Sequence, residues 1–569
     1  MMKKTIYSIA LLLVSTGVFA QQQDSLLRRQ MELQREFNPT LQDANKINSL
    51  PAVPQPAIKK ANTGYSSWAG RTTPPLEIAV PNPADIMTAI PYNTKRGYVS
   101  LGAGNYANID GVLGYRLVEN EKNSLTVNFL HSSTGGDISY VQESEPADNK
   151  AFFMENAGQL RYGHLLSTFK LDLKAAYSHT AFNYYGNTFG NDRHYDNENQ
   201  TLGVFNLGLG MESDRSDRVN YSGSFDYRNF ATGYGLTPTS DGLKGNYIDL
   251  GIGIDKPYQE GDTRVGVDGK FLGVFYSGEF DNLSILSANP FVAFSGLSWK
   301  ARLGADLQFQ MSGGTKFRVA PNVELDLKVA DHSSLYANIK GGIDDNSFLD
   351  VMSEVRYVTP MTPMTQVRSS FSIVDLEAGA RIGEVSGFRF DLFGGFRKTD
   401  DDHLWIMDGW IYNGAADMPV LFRESLKPLY TNLAHTHVGG MIRSNIWSPL
   451  DLSVRVKKSI YTVEETGITD AKAYGKPGFE AGIQATYAVM SNLELLLNYY
   501  FAGDRWSYFN DDNVKMDNIN DLNLGAHYNI NESFSIQLKA NNLLLQKYDI
   551  WYGYPAQGFN VMGGFTFKF

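Results

Sequence analysis

The last five residues, Phe565-Thr-Phe-Lys-Phe569, alternate aromatic with polar side chains and end on an aromatic residue. The same period of two recurs in residues 479–487, 522–530 and 534–541. Successive side chains of a β-strand point to opposite faces, so each stretch has one apolar face and one face of polar or small residues. A transmembrane β-barrel needs such strands, because it has lipid outside, water or polar groups inside and no open edge. The sequence therefore predicts an all-β fold, a transmembrane antiparallel β-barrel in a Gram-negative cell outer membrane.

The composition fits one large barrel better than the several soluble domains that 569 residues could also form. Aromatic residues make up 13% of the chain, with 32 Tyr, 33 Phe and 7 Trp, and Gly occurs 54 times. Tyr and Phe suit the girdles at the membrane interfaces, and Gly suits tight turns and a crowded lumen. Mean hydropathy is only −0.28, as expected when half of each strand faces a polar interior. No apolar run beyond the N-terminus approaches about 18 residues, which excludes a helical membrane protein.

Charge and cysteine content exclude further classes. The chain has no cysteine, so disulfides, thiolate metal sites and a lipidated N-terminal cysteine are excluded. Lys and Arg number 50 against 61 Asp and Glu, a net charge of −11. Nucleic acid is not expected as a partner, because the basic footprint that it requires is missing.

Residues 1–20 are predicted to be a signal peptide that is cleaved after export. Lys3 and Lys4 form the charged start, residues 9–14 the apolar core, and Val18-Phe-Ala20 a cleavage site. Loss of the two lysines leaves 48 basic and 61 acidic residues, a net charge of −13. The alternative is a short membrane anchor, although the segment is shorter than a comfortable span.

Residues 21–95 differ from the rest and are predicted to form a Pro-rich N-terminal arm with short helical pieces. Residues 24–37 could form an amphipathic helix, and Asn38-Pro39 carries an N-cap and first-turn residue for a second. Proline within 51–56 and 74–91 favours extended chain over helix or central strand. Two interpretations stay open: a disordered periplasmic leader, or an arm that lies in the lumen or docks on a periplasmic partner.

Residues 96–569 are predicted to form the barrel, with strands separated by short turns and longer polar loops. This asymmetry is typical of periplasmic turns and extracellular loops in an outer-membrane barrel. Ten turns enclose nine intervals of two strands, and two more strands lie at each end, which gives about 22 strands. A barrel of this size is normally a plugged transporter. The turns are predicted at 119–123, 166–168, 212–218, 255–262, 296–298, 330–333, 383–387, 445–449, 490–492 and 529–533, and loops at 135–156, 186–199, 344–365, 464–476 and 504–515.

The C-terminal run carries a family pattern. An Asn-Asn-Leu step is followed by a Lys-Tyr step, a loop with Pro and Gly, and an alternating strand that ends on Phe. These features resemble the closing strands of TonB-dependent receptor barrels, in a Bacteroidota-type protein. The resemblance implies a 22-stranded barrel that takes up or binds a nutrient across the outer membrane. The motif positions are Asn541, Asn542, Leu543, Lys547, Tyr548, Pro555 and Gly558, and the C-terminal barrel signal is Phe565, Phe567 and Phe569.

The N-terminal part departs from this family. Residues 21–95 are too few for the globular plug of such receptors, and they are rich in proline. Residues 76–80, Leu-Glu-Ile-Ala-Val, share the apolar character of a TonB box but lie just before the barrel. The resemblance therefore implies a receptor-like barrel that lacks a recognisable plug domain.

His435 and His437 are candidate metal ligands, because residues two apart on a strand share one face. Alternation with Val438, Gly440 and Ile442 places that face in the lumen, where paired imidazoles could bind a divalent metal. No third ligand can be named from the sequence. The alternative is a hydrogen-bonded pair on the lumen wall, and no cofactor is predicted.

Two acidic clusters are predicted in extracellular loops. They are Asp400-Asp-Asp-His403, and Asn510-Asp-Asp-Asn513 followed by Asp517 and Asp521. Their carboxylate and amide oxygens would suit calcium, but the spacing of an EF-hand is missing. A solvated loop face is the alternative.

Several charged residues are predicted to face the lumen and to pair across neighbouring strands, which would stiffen the barrel. They are Arg116, Arg302, Asp306, Glu324, Asp326, Arg389, Asp391 and Lys539.

The sequence does not predict an enzyme. Outer-membrane proteases and phospholipases also use barrels, with carboxylate–His or Ser–His–Asn sites. The nine histidines here are scattered without such a constellation, and neither a Gly-x-Ser-x-Gly elbow nor a phosphate loop is found.

Three functional hypotheses remain. The first is nutrient uptake or binding, with the lumen closed by the arm or by a partner's domain. The second is a non-transporting barrel subunit of an outer-membrane complex, with a periplasmic or outer-membrane partner protein. The third is a passive channel for hydrophobic compounds, which would need about 14 strands. Outer-membrane lipid and, during insertion, the barrel-assembly machinery are expected partners in each.

Overall fold

The computed structural model describes most of the chain from residue 95 onward. The described residues are 95–141, 150–188, 199–213, 218–236, 240–258, 262–278, 280–312, 315–361, 365, 367–383, 387–412, 421–464 and 466–569. The predicted signal peptide and nearly all of the predicted arm, residues 1–94, lie outside them.

Twenty-two antiparallel strands form one closed barrel, because β1 pairs with both β2 and the last strand, β26. This confirms the predicted fold class and strand number, and it rules out the 14-stranded channel. The barrel strands are β1 (Gly97–Gly104), β2 (Ile109–Glu119), β3 (Asn123–Asp137), β4 (Lys150–Leu165), β5 (Phe169–Phe182), β6 (Gln200–Ser213), β7 (Asn220–Thr232), β8 (Lys244–Pro257), β9 (Thr263–Ser277), β10 (Leu283–Ser295), β11 (Trp299–Met311), β12 (Thr315–Ala330), β13 (Ser333–Asp344), β14 (Ser370–Ile382), β15 (Phe388–Tyr412), β16 (Leu421–Ser444), β17 (Leu450–Glu464), β18 (Phe479–Met490), β19 (Leu493–Gly503), β22 (Ile519–Asn529), β23 (Phe534–Asn541) and β26 (Asn560–Lys568).

Three smaller elements lie in the long connections at one end of the barrel. Helix α1 (Phe348–Glu354) follows β13, a hairpin of β20 (Arg505–Phe509) and β21 (Asp512–Met516) follows β19, and a hairpin of β24 (Asp549–Trp551) and β25 (Tyr554–Pro555) follows β23. The strands that flank the ten predicted short turns all end at the other end of the barrel, where β1 begins and β26 ends. Residues 214–217, 259–261 and 384–386 of three of these turns lie outside the described residues. In an outer-membrane barrel the end with short turns faces the periplasm, so the long connections face outward.

The outer wall carries the apolar face that lipid requires. Leu207 and Leu209 on β6, and Leu325 and Leu327 on β12, are each at least 40% exposed. Between them, small or polar residues face the lumen, as Gly208 does. The alternation seen in the sequence thus separates lipid from lumen along each strand.

The prediction that residues 400–403 form a loop was wrong. They lie within β15, which has 25 residues and continues with the 24 residues of β16 well beyond the outer rim. A bulge between Thr399 and Asp402 marks this region. Acidic residues there do not break the strand, because its outer part packs on both faces and the carboxyl group of Asp402 is only 16% exposed. Of the second cluster, Asn510 and Asp511 do form a turn, with φ of 51° and 63° as a two-residue hairpin turn requires, whereas Asp512 and Asn513 lie in β21 and Asp521 lies in β22.

Candidate functional site: a capped lumen

The outer loops fold over the mouth of the barrel and share one hydrophobic core, which we call the cap. The side chains of the cap come from strands and loops that are far apart in sequence, and most of them are at most 8% exposed. The buried members are Ile138, Ala151, Phe182, Tyr184, Tyr185, Phe230, Leu243, Phe280, Phe348, Val351, Met352, Val355, Val358, Trp405, Met407, Leu426, Trp551 and Tyr554. A core of this size makes the cap a folded unit rather than a set of mobile loops.

Helix α1 supplies the centre of the cap. Ser347 is its N-cap, and the Ser347 and Asp350 side chains form a capping box with each other's main-chain N–H groups. This start places Phe348, Val351 and Met352 on one face, where all three are buried. The sequence pattern Ser-x-x-Asp before spaced apolar residues is the local signal for this helix.

Tyrosine side chains join three loops within the cap. The rings of Tyr357 and Tyr554 stack with centroids 4.0 Å apart, and Tyr185 contacts both rings edge-on. Tyr357 donates its hydroxyl to that of Tyr185 (3.3 Å), and Tyr185 donates to the main-chain carbonyl of Pro555 (3.1 Å). The neighbouring Tyr184 donates to the carbonyl of Val358 (2.8 Å). Buried tyrosines with paired hydroxyls add specific geometry to apolar packing.

Glu424 fixes the β15–β16 hairpin to the rest of the cap. Its carboxylate is 1% exposed and accepts hydrogen bonds from the main-chain N–H (2.7 and 2.8 Å to its two oxygens) and hydroxyl (2.7 Å) of Thr188. Tyr554 donates its hydroxyl to the main-chain carbonyl of Glu424 at 2.6 Å. A buried carboxylate is stable only when so paired, and sequence reasoning missed it because its partner lies 236 residues away.

A contact between His403 and Glu354 holds the end of α1 against the wall. His403 Nε2 lies 2.7 Å from Glu354 Oε2. Burial alone would raise the pKa of Glu354, but the nearby charges of His403 and Lys476 lower it to about 2. Glu354 therefore stays ionised across the physiological range and keeps its charge in the pair.

Beneath the cap lies a lumen cavity of about 860 Å³. Its walls run from residues near the periplasmic rim, such as Lys170 and Glu212, up to Asp345, Asp350 and Glu354 under the cap. The upper end is acidic: burial first, and then the carboxylates of Asp350 and Asp344, raise the pKa of Asp345 well above its usual value. Charged side chains of both signs thus line one continuous space.

Ion pairs link strands of the lumen wall, but of the next three only the pair of Glu324 with Lys340 joins neighbouring strands, as the sequence predicted. Arg302 pairs with Asp268, Glu324 with Lys340 (2.6 Å) and Asp326 with Arg381 (3.3 Å), each between different strands. Asp306 accepts from Asn289 at 2.7 Å. Three of the named residues form an ion pair within one strand: Arg116 pairs with Glu119, and Arg389 pairs with Asp391. Lys539, also predicted in the lumen, is 6% exposed.

The structure places His435 and His437 side by side on β16. Their rings stack with centroids 5.1 Å apart, and His435 Nε2 lies 3.1 Å from Ser459 Oγ. Val438, on the opposite face, is 63% exposed on the lipid side. Among the described residues, no three His, Asp or Glu side chains are already grouped as a metal site. Neither of the two acidic clusters forms such a group.

The C-terminal motif organises the last outer loop. Asn542 has φ of 49° and donates its amide to the carbonyls of Gln546 (2.9 Å) and Gln557 (3.2 Å). Asn541 donates to the side-chain oxygen of Asn560 at 2.7 Å, and Tyr548 is buried. The motif therefore has a structural role in closing the loop. Leu543, Lys547, Pro555 and Gly558 lie in the same connection, and Phe565, Phe567 and Phe569 are exposed on the lipid face.

Helices long and apolar enough to cross a membrane are not found in the described part of the chain.

Comparison with known proteins identifies the fold. No protein-family model and no curated protein matches the sequence. Among solved structures, the siderophore receptor PirA of Acinetobacter baumannii has a TM-score of 0.62 at 11% identity, with 84% of this chain and 80% of that chain covered. The copper transporter OprC has a TM-score of 0.59 at 13% identity, with 84% and 80% covered. The ferric enterobactin receptor PfeA of Pseudomonas aeruginosa has a TM-score of 0.58 at 11% identity, with 84% and 80% covered.

Proposed function

We propose that this chain takes up or binds a nutrient at the outer membrane, as a receptor-like barrel of Bacteroidota type whose passage is the lumen. The observation that carries the proposal is a 22-stranded barrel, shared in architecture with siderophore receptors and a copper transporter, that is closed at its outer mouth by a folded cap. An open barrel of this width would leave an aqueous channel. Closure with a polar cavity beneath is what a gated importer needs.

In this proposal the inner side is closed by the N-terminal arm, in place of a plug domain. Residues 1–20 direct export and are removed, and residues 21–95 reach the periplasmic rim. Arg116, on the lumen face of β2, makes two hydrogen bonds at this junction: it donates its side chain to the carbonyl of Lys95 (2.9 Å) and its main-chain N–H to the carbonyl of Arg96 (2.8 Å). The side-chain bond to Lys95 is consistent with an arm that enters from the lumen side, whereas the main-chain bond to Arg96 continues the β1–β2 ladder.

Conductance in planar bilayers tests both closures. Four forms are compared: the full chain, a deletion of residues 24–92, a cap deletion in which residues 346–368 become a short Gly/Ser linker, and the two deletions together. We expect low conductance for the first three and a large stable conductance for the double deletion. A chain with residues 24–92 scrambled, in the cap-deleted background, controls for arm length.

The outcomes separate the parts of the proposal. A double deletion that stays closed shows that the lumen is not the passage. A cap deletion that conducts fully by itself shows that the arm does not close the lumen. If native mass spectrometry after gentle extraction finds a stoichiometric partner chain, and both deletions leave conductance unchanged, the barrel is a scaffold subunit of a complex.

A further inference from the structure

On the lumen wall, the side chains of Glu377 and His437 lie close together on either side of Gly395. In the strand register, Glu377 of β14 pairs with Gly395 of β15, and Gly395 pairs with His437 of β16. His437 Nε2 lies 4.0 Å from Glu377 Oε2, although their strands are not neighbours. Sequence reasoning missed Glu377, because only the register of three strands places it opposite the histidine pair.

Gly395 is what permits this approach. A Cβ atom at Gly395 would lie 2.5 Å from Cε1 of His437 and 2.5 Å from the carbonyl oxygen of Leu376, both far inside van der Waals contact. With any other residue there, the His437 ring could not lie over β15 towards Glu377. The wall therefore has a recess whose two sides are a carboxylate and an imidazole.

His437 is nearly buried and lacks a protein partner. Its side chain is 10% exposed, and neither ring nitrogen has a hydrogen-bond partner in the protein. Buried polar atoms normally find partners, so a ligand for these nitrogens is the expected occupant. Tyr336 Oη lies 3.3 Å from Glu377 Oε1 and orients that carboxylate from the other side.

The nearby cations are already paired, which leaves the recess open to a positive ligand. Arg397 pairs with Asp344 at 2.5 Å, and Lys457 pairs with Glu480 at 2.7 Å. The Arg455 guanidinium lies over the Phe393 ring at 5.1 Å, and Lys476 lies in the same cavity as Asp402 and Glu354.

We propose that His437 and Glu377, joined by His435, bind one first-row divalent transition metal such as Zn²⁺. Imidazole and carboxylate ligands bind Zn²⁺ at about 2.0 to 2.2 Å, which puts tetrahedral ligand atoms about 3.4 Å apart. The 4.0 Å between Nε2 and Oε2 closes to that value with a shift of about half an ångström. His435 shares the face of His437, but its Nε2 lies 3.1 Å from Ser459 Oγ, so in this proposal its ring leaves Ser459 and rotates to reach the ion. Tyr336 would hydrogen-bond the metal-bound carboxylate of Glu377, as groups around metal ligands normally do. This site is independent of what the barrel transports.

Isothermal titration calorimetry with Zn²⁺ tests the site on the purified full chain, without a polyhistidine tag and after treatment with a chelator. We expect one equivalent to bind, and affinity to fall about tenfold or more in H437Q, H435Q and E377Q. H527Q is the matched control, because His527 is another nearly buried lumen histidine with an unpartnered Nε2. Heat-modifiable migration in gels confirms that each variant is a folded barrel.

A second readout guards against loss by misfolding. Co²⁺ in place of Zn²⁺ should give the visible absorption of a four-coordinate nitrogen–oxygen site in the wild type and in H527Q, but not in H437Q. The proposal is overturned if H527Q weakens binding as much as H437Q does, or if the wild type binds no equivalent at millimolar Zn²⁺.

Discussion

The strongest prediction concerns Glu424, whose buried carboxylate joins the β15–β16 hairpin to the loop after β5. Its removal in Glu424→Ala leaves the N–H and hydroxyl groups of Thr188 without an acceptor in a dry interior. A hydrogen bond to a charged group contributes about 1.5 to 3 kcal/mol, so two such bonds stabilise the closed cap by about 3 to 6 kcal/mol. Since about 1.4 kcal/mol is a factor of ten, the open fraction of the cap should rise at least about a hundredfold.

Hydrogen exchange of the cap amides measures this change. The N–H of Asn187, which donates to the carbonyl of Gly553 at 2.9 Å, should exchange much faster in Glu424→Ala, while amides of the barrel strands keep their protection. Glu424→Gln keeps one acceptor oxygen and should fall between the two. Glu464→Ala is the control, because the exposed Glu464 contributes only its main-chain carbonyl, to Thr431. Cap exchange in Glu424→Ala within threefold of that control would refute the reasoning.

Three further predictions follow from the same contacts. Because the pKa of Glu354 is lowered to about 2, its contact with His403 stabilises α1 above about pH 4.3, and this stabilisation is lost as pH falls towards 2. Hydrogen exchange of the α1 amides should show this loss in the wild type. A His403→Gln variant that kept the same pH dependence would contradict the prediction. Burial raises the pKa of Asp549 to about 6, so the β24–β25 hairpin should lose stability as pH rises from about 4 to above 6; Asp549→Asn, which keeps the acceptor for Gly553, should remove that dependence in the exchange of the Gly553 amide. Replacement of Phe567 and Phe569 by Ser should lower the yield of assembled barrel in outer-membrane fractions by several-fold. The same change at the outer-rim residue Phe559 should leave the yield unchanged. Equal yields of the variants would show that the terminal aromatic residues are not an assembly signal.

The barrel could be predicted from the sequence because its strands obey a local rule. Alternation of apolar with polar residues is visible along one strand, and the turns interrupt it with Asn, Ser, Gly and charged residues. The described strands therefore end beside all ten predicted turns, for example at 296–298 between β10 and β11. The same rule failed at residues 400–403, where β15 leaves the membrane and both of its faces are covered by protein, so acidic residues no longer indicate a loop.

The cap and the recess beside His437 could not be predicted in this way. The cap depends on contacts such as Tyr184 with Val358, 174 residues apart, and no local pattern encodes them. Only the capping box of α1 left a local signal. Glu377 lies close to His437 because of the register of three strands and because Gly395 between them has no side chain. The sequence of a single strand gives no information on either feature.

The measurement that tests the central claim most directly is thiol labelling of intact cells from outside, since the chain has no cysteine of its own. Ser287→Cys places one thiol in the lumen cavity, and Leu545→Cys places one on an outer loop, where Leu545 is 71% exposed. A bulky maleimide–polymer reagent is applied to cells, and denatured protein shows that both thiols react. The account predicts rapid labelling at position 545 and none at position 287, unless the cap is loosened by Glu424→Ala. Equal labelling of both thiols in the otherwise unchanged chain would contradict a lumen closed by a folded cap.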